Sequence, residues 1–281
     1  MSSAAEGVEA EAAEIEDNVC ANCGIVEIDD IKLEECTDCD LVRYCGDKCL
    51  EEHREQHEEE CNKRKKELCD KQLFTQPDET HLGECPICFL PLPLDQRKYL
   101  FSSCCCKFMC NGCSYADYMS SGRNRCPFCR EPVVNDKDEN NKRLMKRVEV
   151  NDPNALRQMG AIREKEGDYD KAFEYFTNAV KLGDVRAHYH LGCMYYEGEG
   201  VEKDLENAIY HWEKAAIGGH PVARHNLASY EAKNNGNIER AVKHLIIAAK
   251  LGDVFVGVGG GNSLKCNKPR SPYYKLGFYP R

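Results

Sequence analysis

The chain has 281 residues, 42% hydrophobic and 31% charged, with a formal net charge of -10 at pH 7. That length suits about two domains of ordinary size, or more if some are small. The acidic balance argues against a general affinity for nucleic acid, which draws on an excess of Lys and Arg, and no stretch nears the roughly 18 consecutive apolar residues of a membrane helix. The N-terminus lacks the basic segment and apolar run of a secretory signal, so an intracellular protein, cytoplasmic or nuclear, is expected. In that setting 19 cysteines point to metal rather than to disulfides.

Residues 1–17 carry six acidic and no basic side chains and are expected to form a disordered tail. Residues 18–62 follow the spacing Cys20-x2-Cys23-x12-Cys36-x2-Cys39-x5-Cys45-x3-Cys49-x7-His57-x3-Cys61. Eight soft donors fill two tetrahedral zinc sites without remainder. His57 and Cys61 sit one helical turn apart on one face; His53, a turn earlier, reads as a solvated helix histidine. With Tyr44 just before Cys45, the array resembles the MYND zinc finger along nearly its whole length. The resemblance implies interleaved ligands, with Cys20, Cys23, Cys45 and Cys49 on one ion and Cys36, Cys39, His57 and Cys61 on the other. Leu50 and Arg54 depart from the Gln and Trp that the family often carries there.

A helical linker is expected over 63–82, its "KRKK" run a solvated face and its "FTQPDET" segment a break. Residues 83–132 hold a second array, with knuckles at Cys85/Cys88, Cys110/Cys113 and Cys126/Cys129 and the triplet Cys104, Cys105, Cys106 between. Three knuckles supply six thiolates, so two more donors must come from the triplet. The array resembles a RING finger, another interleaved two-zinc module. The resemblance places Lys107 where a histidine ligand commonly stands, and a protonated ammonium has no lone pair to give. It also makes Cys105 the third ligand and puts Cys106 at a turn position often held by glycine. Cys104 with Cys105 is then the favoured pair, and Cys104 with Cys106 stays open. In RING-type ubiquitin ligases the positions of Ile87, Pro127 and Arg130 contact the ubiquitin-conjugating enzyme, and the arginine bridges it to ubiquitin. Each has a plainer reading, as a knuckle-shaping residue or a solvated charge.

Residues 133–151 read as a charged linker containing "KRLMKR". From 152 to 254, segments beginning at Ala155, Ala187 and Ala223 repeat with periods of 32, 36 and 32 residues, the period of a helix-turn-helix solenoid. Small residues recur at Ala172, Ala208 and Ala241 and at Ala179, Ala215 and Ala248. "YYEGEGVEKD" resembles the Sel-one-like subclass of tetratricopeptide repeats, with Gly198 and Gly200 permitting the turn. Of Tyr169, Phe173, Tyr189, Tyr196, Tyr210 and Trp212, most are expected in the core rather than on a peptide-binding stripe. Residues 255–281 lose the pattern, carry basic but no acidic residues, and are expected to be irregular; a continuation altered at a splice junction is one explanation.

The fold class expected is α+β for the small zinc-stabilised modules, followed by a short all-α solenoid. Four zinc ions are expected on sixteen ligands, leaving Cys69, Cys193 and Cys266 dispensable for metal. The leading functional expectation is an adaptor-type ubiquitin ligase that binds a charged conjugating enzyme through Ile87, Pro127 and Arg130 and holds protein partners on the MYND-like finger and repeats. A non-enzymatic protein-interaction scaffold is the alternative.

Overall fold

A computed structural model describes residues 19–252 apart from 29, 30, 123 and 235; the expectations for the two tails and for Cys266 lie outside them. The chain divides into two compact units between Leu73 and Phe74. In the first, β1 (Glu34–Glu35) pairs antiparallel with β2 (Arg43–Tyr44), with Glu34 opposite Tyr44. Its core is small: Cys20, Leu33 and Tyr44 are buried, with Ile31, Val42 and Leu50 packed around them. Helix α1 (Asp47–Phe74) is polar on nearly all sides, so packing alone does not hold it. Instead Arg64 pairs with Asp40 at 3.1 Å and Lys65 with Asp38 at 2.9 Å, while His57 is buried against the finger.

The second unit begins with a hairpin of β3 (Tyr99–Ser102) and β4 (Lys107–Cys110), in the register Tyr99 to Cys110 and Phe101 to Phe108. Helix α2 (Asn111–Ser121) follows and stops at Gly122, whose left-handed backbone closes its last turn. The charged stretch beyond is not extended. Asp136 caps α3 (Lys137–Val148) by accepting the Glu139 amide at 2.7 Å, and α3 buries Asn140 and Leu144. Asn140 is fully engaged: its oxygen accepts from Ser103 at 2.6 Å and its nitrogen donates to the Val134 and Asp136 carbonyls.

Six helices complete the unit: α4 (Pro153–Glu166), α5 (Tyr169–Lys181), α6 (Val185–Glu197), α7 (Leu205–Ile217), α8 (Pro221–Asn234) and α9 (Ile238–Lys250). They pack as the pairs α4/α5, α6/α7 and α8/α9, with α5 on α6 and α7 on α8 joining one pair to the next. Helix starts are written in the sequence. Asp152, Asp168, Asp184, Asp204 and Asn237 each accept a first-turn amide, satisfying donors that the helix itself cannot. His220 does the same for α8, its Nδ1 accepting from the Ala223 amide at 3.3 Å.

Within each pair, small meets large. A Cβ at Gly160 would sit 2.7 Å from the Phe176 ring, and one at Gly192 would overlap the indole of Trp212. The corresponding positions in the third pair are Ala228 and Leu245, a small aliphatic side chain for a glycine and a leucine for an aromatic. Trp212 and Tyr189 are fully buried, as expected of core; Phe173 meets Tyr195 edge-on, and Tyr210 is 49% exposed.

Gly192→Ala is therefore expected to destabilise the repeats by about 1 to 3 kcal/mol, the usual cost of overpacking a tight core. Fluorescence of the single tryptophan during thermal unfolding measures it; an unchanged midpoint would refute the packing account.

A second expectation concerns pH. Burial, then the neighbouring His81, His190 and arginine charges, hold His220 well below its ordinary value of 6.5. The unfolded chain thus takes up this proton first, and the folded state is favoured above pH 6.5 and loses that advantage as pH falls below it. Asparagine is a good capping residue without a titration in this range, so His220→Asn should flatten the acid slope of the Trp212 melting curve; an identical slope would exclude His220 as its source.

Candidate metal centres

Four of the five Cys-x-x-Cys knuckles fold into one five-residue loop. The amides of Gly24, Asp40, Phe89 and Arg130 donate to the carbonyls of Cys20, Cys36, Cys85 and Cys126 at 3.0, 3.3, 2.8 and 2.9 Å. All four of these fifth residues are left-handed, with φ of 73, 55, 56 and 62°. Only the first is glycine, so three side chains hold a conformation that L-residues ordinarily avoid, turning both cysteines of each knuckle to one side. The fifth knuckle, Cys110 and Cys113, instead opens α2: Cys110 caps the helix through its sulfur, which accepts the Cys113 amide at 3.4 Å.

These loops bring sixteen donors into four clusters: Cys20, Cys23, Cys45, Cys49; Cys36, Cys39, His57, Cys61; Cys85, Cys88, Cys110, Cys113; and Cys104, Cys105, Cys126, Cys129. Within each cluster the donor atoms lie within 4.8 Å of one another. A tetrahedron of thiolates around zinc, with Zn–S of about 2.3 Å, places the sulfurs about 3.8 Å apart. The separations are 3.6 Å for Cys23 to Cys45 and for Cys45 to Cys49, 3.8 Å for Cys36 to Cys61, 3.9 Å for Cys88 to Cys110 and 3.7 Å for Cys105 to Cys126. Cys104 to Cys129 is 3.3 Å, and His57 turns Nε2 toward Cys39 at 3.0 Å. Residue types and spacing both fit zinc.

The knuckles also prepare thiolates. Burial acts to raise Cys20 and Cys85, but amide donors within the loops and from the next strand outweigh it and bring both down to about 6. Cys36 is lowered against burial in the same way. At Cys126 the neighbouring Cys104 and Cys105 thiols act first and the knuckle amides reinforce them. Each cluster thus contains one cysteine whose thiol is shifted downward, by backbone amides at Cys20 and Cys85, by amides and neighbouring thiols at Cys36, and by neighbouring thiols first at Cys126.

Within the triplet, Cys104 and Cys105 join the fourth cluster while Cys106 turns the other way. Cys106 is buried in the hydrophobic core, has φ of 55°, and donates its amide to the Ser102 carbonyl at 2.7 Å. Burial pushes its thiol up to about 12. Lys107 lies outside the clusters, its Nζ 5.2 Å from the centre of the Phe128 ring. His53 differs from a merely solvated histidine: its Nδ1 is 3.1 Å from the Tyr44 hydroxyl and its ring stacks on His57 at 5.9 Å. A buried tyrosine is thereby linked to a ligand-bearing helix face, a relation that spacing alone does not disclose.

Of the three proposed contact residues, Ile87 is 41% exposed, Arg130 is exposed and Pro127 half-buried. Further apolar surface on the same finger escaped the sequence reading: Phe89 and Leu90 are 72% and 65% exposed, and Tyr115 and Met119 project from α2. The left-handed fifth residue of a knuckle, marked by Gly24 in the first finger, is the signal that places Phe89 and Arg130 outside their loops.

Comparison with known proteins matches residues 20–61 to the MYND finger and residues 156–184, 185–220 and 221–253 to the Sel1 repeat. HcpC of Helicobacter pylori strain J99 is 42% identical over 55 residues, 20% of this chain and 19% of its own. The ERAD-associated E3 ubiquitin-protein ligase component HRD3B of Arabidopsis thaliana is 46% identical over 41 residues, 15% of this chain and 7% of its own. A Sel1 repeat protein of known structure from Oxalobacter formigenes is 30% identical, with a TM-score of 0.39 over 42% of this chain and 51% of that one. The chain thus spans under a fifth of the length of those two curated relatives. It carries a MYND finger and three Sel1 repeats, and among the described residues no helix is long and apolar enough to cross a membrane.

The triplet geometry yields a prediction. Cys106→Gly removes a strained left-handed side chain and a small buried thiol, opposing effects of about 1 kcal/mol each, so zinc content should be unchanged and stability nearly so. Cys105→Ser should lose about one zinc per chain. Elemental analysis of the reduced proteins decides it; zinc lost from Cys106→Gly but kept by Cys105→Ser would reverse the pairing.

Proposed function

We propose that this chain is an intracellular ubiquitin ligase of the RING type, built as an adaptor. The MYND finger and Sel1 repeats are protein-interaction modules, which makes the chain a protein-interaction adaptor. On the finer reading, residues 83–132 are a RING-type finger, all sixteen clustered donors are ligands, and the chain holds four zinc ions. Zinc here supplies structure alone, because four protein ligands leave no open position for a substrate. The observation that carries the ligase reading is the set of Ile87 and Arg130, both exposed, with the half-buried Pro127, all carried on two knuckles of one module. HRD3B, named as an E3 ligase component, adds support from a relative.

In this mechanism no cysteine of the chain carries ubiquitin. Ile87 and Pro127 offer an apolar seat for a charged conjugating enzyme. Arg130 presents a guanidinium fork able to bridge that enzyme and its ubiquitin. Partners held on the MYND finger and repeats bring an acceptor lysine close, and proximity and orientation supply the acceleration. A non-enzymatic scaffold is the second reading, favoured by Lys107 standing where a RING finger commonly has a ligand.

The test is single-turnover discharge of a panel of charged conjugating enzymes onto lysine by the zinc-replete chain. Ile87→Ala should weaken capture of the enzyme about tenfold, as expected for an apolar anchor in a small interface. Arg130→Ala should leave capture nearly intact and slow discharge, because its bond forms in the closed conjugate from which reaction proceeds. Ala and Arg suffer alike at a left-handed position, so folding should not confuse the result. Elemental analysis should return four zincs for all three proteins. No acceleration with any enzyme of a broad panel would favour the scaffold.

A further inference from the structure

The second finger is not a bead beside the repeats. Its core is continuous with them: Tyr99, Phe101, Phe108 and Met109 of the hairpin pack in one cluster with Leu144 of α3 and Ala155, Met159 and Ile162 of α4. Two further contacts reach beyond α4 to the turns between successive repeats, near helix caps that occupy corresponding places in the repeat.

The first is at the turn before α6. The Phe108 ring lies 4.4 Å from the guanidinium carbon of Arg186 and 5.8 Å from that of Arg157. Arg157 pairs with Asp184 at 3.1 Å, both buried, and Arg186 donates to Asn154 in the first turn of α4. Asp184 is also the α6 cap, accepting the Ala187 amide at 2.9 Å. Phe108 therefore closes an apolar and π-rich lid over a buried ion pair that fixes the start of α6 to α4; cation–π contacts are worth most where water is excluded.

The second is at the turn before α8. The His81 amide donates to the Gly219 carbonyl at 3.2 Å, and the His81 ring lies 4.1 Å from that of His220, the α8 cap. His220 stacks in turn on Tyr189 of α6 at 4.4 Å. Gly219 has φ of 78°, and a Cβ there would collide with the Glu79 carbonyl. Glycine is required for the approach of residues 79–81.

Asp184 and His220 are corresponding caps, one repeat period apart. Residues 79–81 reach the second of these caps directly and Phe108 reaches the first through Arg157, its ion-pair partner; the two segments run directly into Cys85 and Cys110, members of the same four-thiol cluster. We propose that this cluster is the clasp of the repeat array: metal bound by Cys85, Cys88, Cys110 and Cys113 holds both grips in place and so fixes the second and third repeats against the first. The array's stability, and with it the shape it offers to partners, is thereby made dependent on metal in the finger. The inference rests on the reading of residues 83–132 as a zinc finger but not on ligase activity.

The test uses the full chain, elemental analysis, and the fluorescence of Trp212, which is buried in the second repeat. Cys88→Ser should lose about one zinc and lower the Trp212 unfolding midpoint by about 5 °C or more. Phe108→Leu should keep its zinc and still lower that midpoint. Coupling is reciprocal, so Arg186→Met, on the array side, should speed zinc transfer to a chelator several-fold in the phase that Cys88→Ser abolishes. Zinc lost from Cys88→Ser with an unchanged Trp212 midpoint overturns the clasp while leaving the finger. A Cys88→Ser chain with the same zinc content as the unaltered chain overturns the finger reading itself.

Discussion

The MYND finger contains too little apolar surface to hold its own fold, and this constraint organises the first unit. Its core is little more than Cys20, Leu33 and Tyr44. At about 25 cal/mol per Å², such a core falls far short of the conformational entropy of ordering some forty residues. What converges in its place is donor chemistry: four clusters of soft ligands, each drawn from segments distant in sequence. Because the donor sets interleave, an ion held by each would close loops that the other leaves open, and metal affinity would become folding energy. The backbone cooperates through the knuckle amides, which stabilise a thiolate at Cys20 and Cys85 before any metal arrives.

The second cysteine module has a further source of stability, a core shared with its neighbours. Its hairpin presents alternating faces, so Phe101 and Phe108, opposite each other across the strands, point one way into that core. Helix α3 supplies the other wall. A helix this charged would be marginal by itself, but Leu144 is fully buried and Asn140 satisfies three partners in the finger and the preceding loop. Burying Arg157 with Asp184 would be costly for an isolated pair. Here the burial of Asp184 is offset by two guanidinium groups that keep its carboxyl below the ordinary value, and by an amide donor from α6.

How much of this was legible beforehand depended on whether the signal was local. Ligand spacing is local, because a knuckle is built within five residues, and the donors named from spacing are those that cluster. The choice between Cys105 and Cys106 was not local: it turns on a left-handed backbone and on which side of the hairpin faces the core. The small residues where helices cross were visible because repetition displays them several times, whereas the capping roles of Asp152, Asp184 and Asp204 emerge from the folded helix starts. Helix α3 was masked by its charges, its apolar positions being few and the partner of its buried Asn140, Ser103, lying far back in the chain. The contacts of Phe108 with Arg157 and Arg186, and of His81 with Gly219, have no periodicity at all. Only tertiary packing reveals them.

The shared core bears on what an adaptor of this kind can do. A catalyst that works by proximity gains only if the groups it brings together are held in a narrow range of separations, since effective concentration falls as the connection between them loosens. A flexible linker between finger and repeats would present a bound partner over a wide volume. Here α3 and α4 replace such a linker with buried side chains, and the hairpin continues the same core. The exposed surface of the finger around Ile87 and Phe89 therefore keeps a set orientation to the first repeat. Under the ligase reading, that geometry would select among the lysines of a partner by their position rather than by their sequence.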